Sequence, residues 1–263
     1  MNKEINPIKL FKEECITEVS QQGNDLELVE TSKKWLGQSA KHKYSYHFTW
    51  LGRPIIQLPQ DILALQEIIW ETKPDIIIET GIAHGGSLCF SASMLALLDM
   101  ADLQHQTKKR DSSTIERKVI GIDIDIRNHN RRAIQCHPMA HKITMIEGSS
   151  IEQSIFERVE KLVPKGSKVL VMLDSNHTEA HVLKELKLYT NLVTKNSYCI
   201  VFDTIVAQMP NEFNKDRPWD KNNNPKSAMD KFLKETTDFV VDQEIDNKLL
   251  LSMSPRGYIK RIH

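Results

Sequence analysis

Apolar runs and amphipathic segments alternate along most of the chain from about residue 75 onwards. The apolar runs that predict buried β-strands cover residues 75–79, 118–123, 142–147, 168–174 and 198–203. Segments that predict α-helices precede, separate or follow them at residues 61–72, 86–100, 150–162 and 178–193. Continuously apolar strands that alternate with helices are typical of a parallel sheet covered by helices on both faces.

The N-terminal part of the chain carries a different pattern. Residues 8–21 predict a helix, and an aromatic-rich stretch over residues 44–50 leads to a break at residues 51–54 (LGRP). We therefore predict an N-terminal arm or helical extension over residues 1–60 and a main domain over residues 61–263.

Near the C-terminus, a predicted helix over residues 225–237 is followed by two apolar triplets, 239–241 and 249–251, which flank Asp246-Asn247. Asp and Asn favour tight turns, so we predict a β-hairpin here. The whole pattern predicts an α/β fold with a mostly parallel seven-stranded sheet, an antiparallel C-terminal hairpin and helices on both faces. This outline is similar to the Rossmann-like fold of S-adenosylmethionine-dependent methyltransferases, a likeness of fold that does not by itself establish function.

Composition narrows the classes of partner and location. The 263 residues carry 35 Lys and Arg against 35 Asp and Glu, without the basic excess of nucleic-acid-binding proteins, so we expect no nucleic-acid partner. No apolar run approaches the roughly 20 residues that a membrane span needs, and the charged N-terminus lacks the apolar core of a signal peptide. Four cysteines are scattered without a CxxC pair, which predicts a reducing, cytoplasmic setting.

The segment ETGIAHGGS (79–87) lies where the first strand of the main domain turns into a helix. Its glycines let the backbone approach a ligand, and the helix N-terminus presents free N–H groups. It fits neither GxGxxG nor the Walker pattern. The form E-x-G-x-x-x-G-G-S is one that methyltransferases use to hold the methionine end of their cofactor, with a tight structural turn as the alternative. The predicted cofactor contacts here are Glu79, Gly81, Ala83, Gly85 and Ser87.

Two further strand ends carry candidate cofactor residues. Asp123 ends the second strand, where an acid accepts hydrogen bonds from ribose hydroxyls, and Ile124 and the acid that follows it are placed to flank an adenine ring. The alternative is a solvated acid that caps the strand. After the third strand, Ser149 and Ser150 are candidates for the adenine pocket or, equally, for a helix N-cap.

Asp174 and Asp203 end the fourth and fifth strands, which should be neighbours. Two carboxylates that converge repel each other unless a cation or a proton lies between them. Oxygen ligands of this kind suit Mg²⁺ or Mn²⁺, and two unrelated strand-end acids are the alternative. His177 and His181 are spaced for a zinc pair, but packing on a helix explains His181 better. Thr178 is a candidate N-cap for that helix.

A long polar loop over residues 217–225 (RPWDKNNNP) lies beside this predicted site. It is a candidate lid over the substrate, with a mobile surface loop as the equal alternative.

Together these residues resemble the cephalosporin hydroxylase-type family, whose members look like metal-dependent S-adenosylmethionine methyltransferases despite the name. The resemblance covers about residues 45–262 and is carried by WLGRPIIQLPQDI, KPDIIIETGIAHGGSL, VIGIDIDIR, MIEGSS, VLVMLDSNHTEAHVLKEL, YCIVFDTIVAQMP, PWDKNNNPKSAMDKFL and SPRGYIKR. The family includes rhamnosyl O-methyltransferases and proteins named for lipopolysaccharide or surface-polysaccharide biosynthesis.

The resemblance implies that Glu79, Gly81 and Ser87 line the cofactor and that Asp123 binds its ribose. It also implies that Asp174 and Asp203 bind Mg²⁺, with Asp174 beside the cofactor as well.

One departure concerns the metal. Some relatives have an acidic pair where this chain has Phe202-Asp203, so Thr204, Glu212, Asp220 or water is left as a candidate third ligand. Catechol O-methyltransferase-like enzymes place a Lys base three residues after the first metal aspartate, and His177 holds that spacing here.

We therefore predict an S-adenosylmethionine-dependent, Mg²⁺-assisted O-methyltransferase that acts on a sugar hydroxyl of a surface glycan or its precursor. His177 and Asp174 are its predicted catalytic residues. Trp50 and Trp219 are candidates to stack on the sugar, although core packing explains Trp50 as well. A metal-dependent hydroxylase using His177, His181 and Asp174, and a non-catalytic partner in glycan biosynthesis, are the alternatives. The arm is a plausible interface for a homo-oligomer.

Overall fold

The computed structural model describes residues 6–104, 115–210, 213 and 215–263. Its α-helices are α1 (Pro7–Asn24), α2 (Leu26–Ala40), α3 (Pro59–Thr72), α4 (Gly86–Gln104), α5 (Asn128–Gln135), α6 (Gln153–Lys161), α7 (Glu179–Tyr189), α8 (Pro225–Glu235) and α9 (Gln243–Leu249). Its strands are β1 (Phe48–Trp50), β2 (Arg53–Ile55), β3 (Ile76–Thr80), β4 (Lys118–Asp123), β5 (Ile143–Glu147), β6 (Val169–Leu173), β7 (Tyr198–Val201), β8 (Phe239–Val241) and β9 (Tyr258–Arg261).

The main sheet confirms the predicted α/β fold. Within the described residues it has seven strands in the order β5-β4-β3-β6-β7-β9-β8, of which β9 runs antiparallel to both of its neighbours. Successive side chains of β3 enter different cores, since Ile77 packs in one hydrophobic cluster and Ile76 and Ile78 in the other. The sheet is therefore covered on both faces, which explains why its strands are continuously apolar.

The strand order places a ligand site at β3. From β3 the chain moves outward to β4 and β5, and it then returns to pair β6 with the other side of β3. Ligands of open α/β sheets bind at the carboxyl ends of the strands where the order reverses in this way.

The predicted tight hairpin around Asp246-Asn247 is wrong. Both residues lie inside α9, whose first turn is capped by the Asp242 carboxylate, which accepts from the N–H groups of Glu244 and Ile245. The last apolar triplet is the end of this helix and the turn after it. The antiparallel C-terminal pair exists, but the partner of β8 is β9, which lies much further along the chain.

The N-terminal residues are more structured than the sequence indicated. Helix α2 was not predicted, and neither was the β1–β2 hairpin, whose two turn residues, Leu51 and Gly52, both have positive φ. Such a turn matches the twist of the two strands. Trp50 attaches the hairpin to α4, because its ring packs edge-on against Phe90 and its Nε1 donates to Ser93 Oγ at 3.0 Å. Trp50 is thus explained by packing, and the domain boundary at residue 60 stays a prediction.

Helix α4 is long and apolar enough, by length and composition alone, to cross a membrane, with a mean hydropathy of 1.3 over its best window. The sequence had indicated no such run. Half of that window is buried inside the protein, where Leu88, Phe90 and Leu95 are fully enclosed. Its apolar character is therefore accounted for by its place in the core.

Candidate active site

Two cavities meet at the carboxyl ends of β3, β6 and β7. The smaller, of about 230 Å³, lies between the Gly81–Ser87 loop, the Pro54–Gln57 segment and Asp174. The larger, of about 470 Å³, is lined by α2, Tyr44–Tyr46 and the chain that follows β7. Residues that line both cavities are Tyr46, Ser175, His177, Asp203 and Met253. The arrangement suits two ligands that react across a shared wall.

Three potential metal ligands lie where the cavities meet: His177 and Asp203 line both cavities, and Asp174 lines the smaller one. One ligand atom from each of Asp174, His177 and Asp203 lies within 4.8 Å of the others. His177 Nε2 is 2.9 Å from Asp203 Oδ2, and both side chains are partly exposed to the cavities. Two carboxylates and an imidazole at this spacing fit a divalent cation that prefers oxygen ligands. The structure therefore brings together the residues that the sequence predicted for the metal and the base.

The electrostatics of this cluster follow from its burial and its two acids. Burial and the nearby charge of Asp203 hold the pKa of Asp174 well above its usual range. Burial alone would lower the pKa of His177, but Asp203 and Asp174 outweigh it and raise that pKa to about 9. Without a cation, the imidazole therefore carries a proton at neutral pH. A cation on the carboxylates would oppose this and favour the neutral imidazole, the form that can accept a proton.

Asp174 is fixed by contacts that the sequence reasoning missed. Gln57 Nε2 donates to Asp174 Oδ2 at 3.2 Å, and the Asp174 N–H donates to the Thr80 carbonyl at 2.9 Å. At Gly81, with a φ of +90°, an added Cβ would lie 2.0 Å from the Asp174 carbonyl oxygen. Only glycine allows this close approach of the β3 and β6 ends. Gln57 is 117 residues from Asp174 along the chain, so no local signal indicated it.

The predicted methionine-end loop forms the wall of the smaller cavity. Gly81, Ala83 and Gly85 have positive φ values of 90°, 44° and 79°, and α4 begins at the next residue. Ser87 lies on the wall, and its Oγ donates to Glu79 Oε1. Glu79 lies behind Ser87, only 1% exposed, where burial raises its pKa to about 8.

The ribose and adenine candidates lie outside the wall of the smaller cavity. Asp123 Oδ2 accepts from the N–H groups of Ile82 and Ala83, at 2.8 and 3.2 Å, so this carboxylate organises the loop. Ile124 is 73% exposed beside it. Ser149 is half-buried at the neighbouring strand end. The cofactor roles of Asp123, Ile124 and Ser149 stay predictions.

Ser150 and His181 belong to a polar cluster beneath the site. The hydroxyls of Ser150 and Ser175 both donate to Glu185 Oε1, at 2.5 and 2.7 Å, and each lies 3.1 Å from His181 Nε2. His181 is thus a packing residue, as favoured by the sequence, and it is not part of the metal-ligand group that includes His177. The N-cap of α6 is Glu152, so neither Ser149 nor Ser150 caps that helix.

The candidates for a third metal ligand are also placed. Thr204 is buried and its hydroxyl donates to the Pro255 carbonyl, while Asp220 accepts from N–H groups of its own loop. Phe202 is part of the core. Glu212 lies outside the described residues. Beside the two aspartates the geometry places the His177 imidazole, and one ring nitrogen can either ligate a metal or accept a proton, so the third ligand stays a prediction.

The loop that was predicted as a lid or a mobile segment is tied to the site. The Trp219 ring packs edge-on against His177, with centroids 4.7 Å apart, and Arg217 stacks on Trp219. Asn223 Oδ1 accepts from the Glu179 N–H at 2.9 Å and so caps α7. Thr178 is the N-cap residue by position, but its hydroxyl donates to Asn176 instead.

Comparison with known proteins agrees with this picture. A family model described as Rhamnosyl O-methyltransferase/CmcI matches residues 42–262. A rhamnosyl O-methyltransferase of Mycobacterium leprae (strain TN) is 29% identical over 157 residues, which is 59% of this chain and 60% of that protein. The match therefore spans less than two thirds of the M. leprae protein. A rhamnosyl O-methyltransferase of Mycobacterium bovis (strain BCG / Pasteur 1173P2) is 25% identical over 220 residues, which is 81% of this chain and 78% of that protein.

Solved structures show the same fold. A CmcI structure with Mg and SAM covers 83% of this chain and 78% of its own, with a TM-score of 0.54 and 18% identity. A CmcI apo-structure gives a TM-score of 0.53 at 20% identity, covering 83% of this chain and 77% of its own. With the family match over most of its length, the chain belongs to the rhamnosyl O-methyltransferase/CmcI family of O-methyltransferases.

Proposed function

We propose that this protein transfers a methyl group from S-adenosylmethionine to a sugar hydroxyl, assisted by Mg²⁺ or Mn²⁺. The observation that carries the proposal is the convergence of Asp174, His177 and Asp203 at the place where the two cavities meet. The smaller cavity is assigned to the methionine end of the cofactor, because the glycine loop and the α4 N-terminus form its wall. The larger cavity is then assigned to the acceptor.

The residues divide the chemistry between them. A divalent cation held by Asp174 and Asp203 would act as a Lewis acid that lowers the pKa of the acceptor hydroxyl. His177 lines both cavities and takes the hydroxyl proton as the O–CH₃ bond forms and the S–CH₃ bond breaks. Asp203 then stabilises the imidazolium through their 2.9 Å contact. Trp219 packs edge-on against the imidazole and restrains its orientation.

The acceptor is assigned from the relatives, which are rhamnosyl O-methyltransferases. We propose a sugar in a surface glycan, such as lipopolysaccharide, or in its precursor. Aromatic residues on the wall of the larger cavity, Tyr44, Tyr46 and Trp219, suit stacking against a sugar ring. The four cysteines are all free, which fits the predicted cytoplasmic setting. A homo-oligomer through the N-terminal arm is part of the same proposal.

The structure does not group the metal ligands that the predicted hydroxylase alternative needs. An iron oxygenase triad needs two histidines and one carboxylate around the metal. The structure instead groups one histidine with two carboxylates, and His181 lies in the separate cluster around Glu185.

The test combines binding and turnover. Calorimetry should show binding of S-adenosylmethionine, and methyl transfer to an aryl rhamnoside should require added Mg²⁺ or Mn²⁺. Asp174→Asn should abolish the metal-dependent turnover, whereas Lys187→Met, in an exposed ion pair with Glu235 on the far ends of α7 and α8, serves as the matched control. Absence of cofactor binding at every metal concentration would refute the proposal.

A further inference from the structure

The cofactor loop is held in its shape by groups outside it. Within five residues, Gly81, Ala83 and Gly85 all have positive φ. Ala83 carries a Cβ, and for such a residue the left-handed region costs about 1 kcal/mol or more. A loop of this kind persists only where its surroundings fix it.

The N–H and C=O groups of the loop are held by different residues. Asp123 accepts from the N–H groups of Ile82 and Ala83. On the carbonyl side, Asn130 Nδ2 donates to the Ala83 carbonyl at 2.8 Å. Asn130 is only 3% exposed, so this bond is protected from water.

Arg53 holds the next carbonyl and links it to Asn130. Its Nε donates to the His84 carbonyl at 3.0 Å, and its Nη2 donates to the same oxygen. Nη2 also donates to Asn130 Oδ1 at 3.1 Å. Among the described residues, no carboxylate forms an ion pair with this guanidinium. Its hydrogen bonds go instead to the loop and to the Asn130 side chain, which itself holds the loop.

The strand that carries Arg53 also contacts the start of α4. A Cβ at Gly86 would lie 2.1 Å from the Pro54 carbonyl oxygen, so the backbone of β2 lies directly against the helix N-terminus. The sequence placed residue 53 in an N-terminal arm apart from the main domain. The structure makes this part of the arm a support for the cofactor loop.

We propose that Arg53 and Asn130 are positioning residues for the cofactor. The inference rests on the proposed function, because it assumes that the Gly81–Ser87 loop binds S-adenosylmethionine. Both side chains stay outside the cavity wall and act by keeping the loop in its binding-competent conformation. If the competent fraction falls to about a tenth, the apparent Kd rises about tenfold, with no change in the chemical step.

The experiment measures the Kd of S-adenosylhomocysteine by calorimetry and kcat at saturating cofactor. We expect Arg53→Met and Asn130→Ala each to raise that Kd about tenfold, with kcat within about twofold of wild type. Arg53→Lys keeps the charge but cannot bridge two acceptors with a planar fork, so its Kd should fall between those of wild type and Arg53→Met. The double variant should raise the Kd by less than the product of the single effects, since both residues act through one loop.

Control measurements separate a positioning role from loss of charge, from misfolding and from failure of the proposed function. Lys187→Met is the control for loss of an exposed cation, and it should leave the Kd unchanged. Thermal unfolding of the cofactor-free variants identifies any that fail to fold, in which case Asn130→Ser replaces Asn130→Ala. If the wild-type protein does not bind S-adenosylhomocysteine, the proposed function itself is overturned. Wild-type binding with unchanged Kd in both single variants, or a loss of kcat at unchanged Kd, overturns only the positioning role.

Discussion

Gly81→Ala tests the close approach of the β3 and β6 ends. The added Cβ would lie 2.0 Å from the Asp174 carbonyl oxygen, whereas ordinary contacts begin at 3.4 Å, so the two strand ends must separate by roughly 1.4 Å. The φ of +90° adds a backbone cost of about 1–2 kcal/mol. With overpacking of about 1–3 kcal/mol, the free energy of unfolding should fall by about 2–5 kcal/mol.

The effect on activity should be larger than the effect on stability suggests. Asp174 follows β6 directly and would move with its carbonyl. A displacement of about 1 Å at reacting groups costs on the order of 100-fold in rate. We therefore expect methyl transfer to an aryl rhamnoside to fall by about 100-fold and the affinity for Mg²⁺ to fall with it. Urea unfolding, turnover and calorimetry measure the three quantities.

Gly166→Ala is the matched control. Gly166 has nearly the same φ, +87°, but nothing lies within 4 Å of its added Cβ. It should lose only the backbone term of about 1–2 kcal/mol and keep full activity. Equal losses of stability and activity in the two variants would show that the close approach of Gly81 to Asp174 does not matter.

Three further predictions concern charge and packing. In the metal-free protein the His177 ring should titrate near pH 9 by NMR, and Asp203→Asn should lower that pKa; a wild-type value below 7 would contradict the electrostatic argument. Trp219→Ala should lower kcat by about 2- to 10-fold with the Kd of S-adenosylhomocysteine unchanged, and Trp219→Phe should restore most of it; a change in Kd alone would count against the orienting role. Burial raises the pKa of Asp61 to about 6, so the folded state binds its proton more tightly than the unfolded state does, and stability present at pH 3 is lost as pH rises to 7. Urea unfolding should show that the difference in free energy of unfolding between wild type and Asp61→Asn changes by about 3 kcal/mol across that range. A difference that stays constant with pH would exclude this role for Asp61.

Much of the fold was predictable because buried parallel strands leave a strong local signal. Runs such as the one at β3 are apolar on both faces, whereas a strand with one face in water alternates apolar and polar residues. The prediction of a tight C-terminal hairpin was wrong because the local pattern there is ambiguous. The Leu249 triplet is compatible with a strand or with a helix end, and the choice is made by Asp242, which caps α9, and by the distant strand that pairs with β8.

The residues of the candidate site also fall into those that the sequence predicted and those that it did not. Asp174 and Asp203 were found because strand ends converge at one edge of a sheet, which fixes their neighbourhood from sequence order alone. Gln57, Arg53 and Asn130 were missed, since their partners lie 117, 31 and 77 residues away, and nothing local distinguishes them from ordinary polar residues.

The wall of the larger cavity comes partly from a segment that the family model does not match. Part of that wall is α2, through Leu36, Ser39 and Ala40, and these residues precede position 42, where the family match begins. The wall of the smaller cavity lies wholly inside the matched region. On the proposed assignment of the cavities, the donor contacts would lie within the matched region, whereas part of the acceptor wall would come from a helix outside it. We therefore expect substitutions in α2 to change the choice of acceptor more than the affinity for the cofactor.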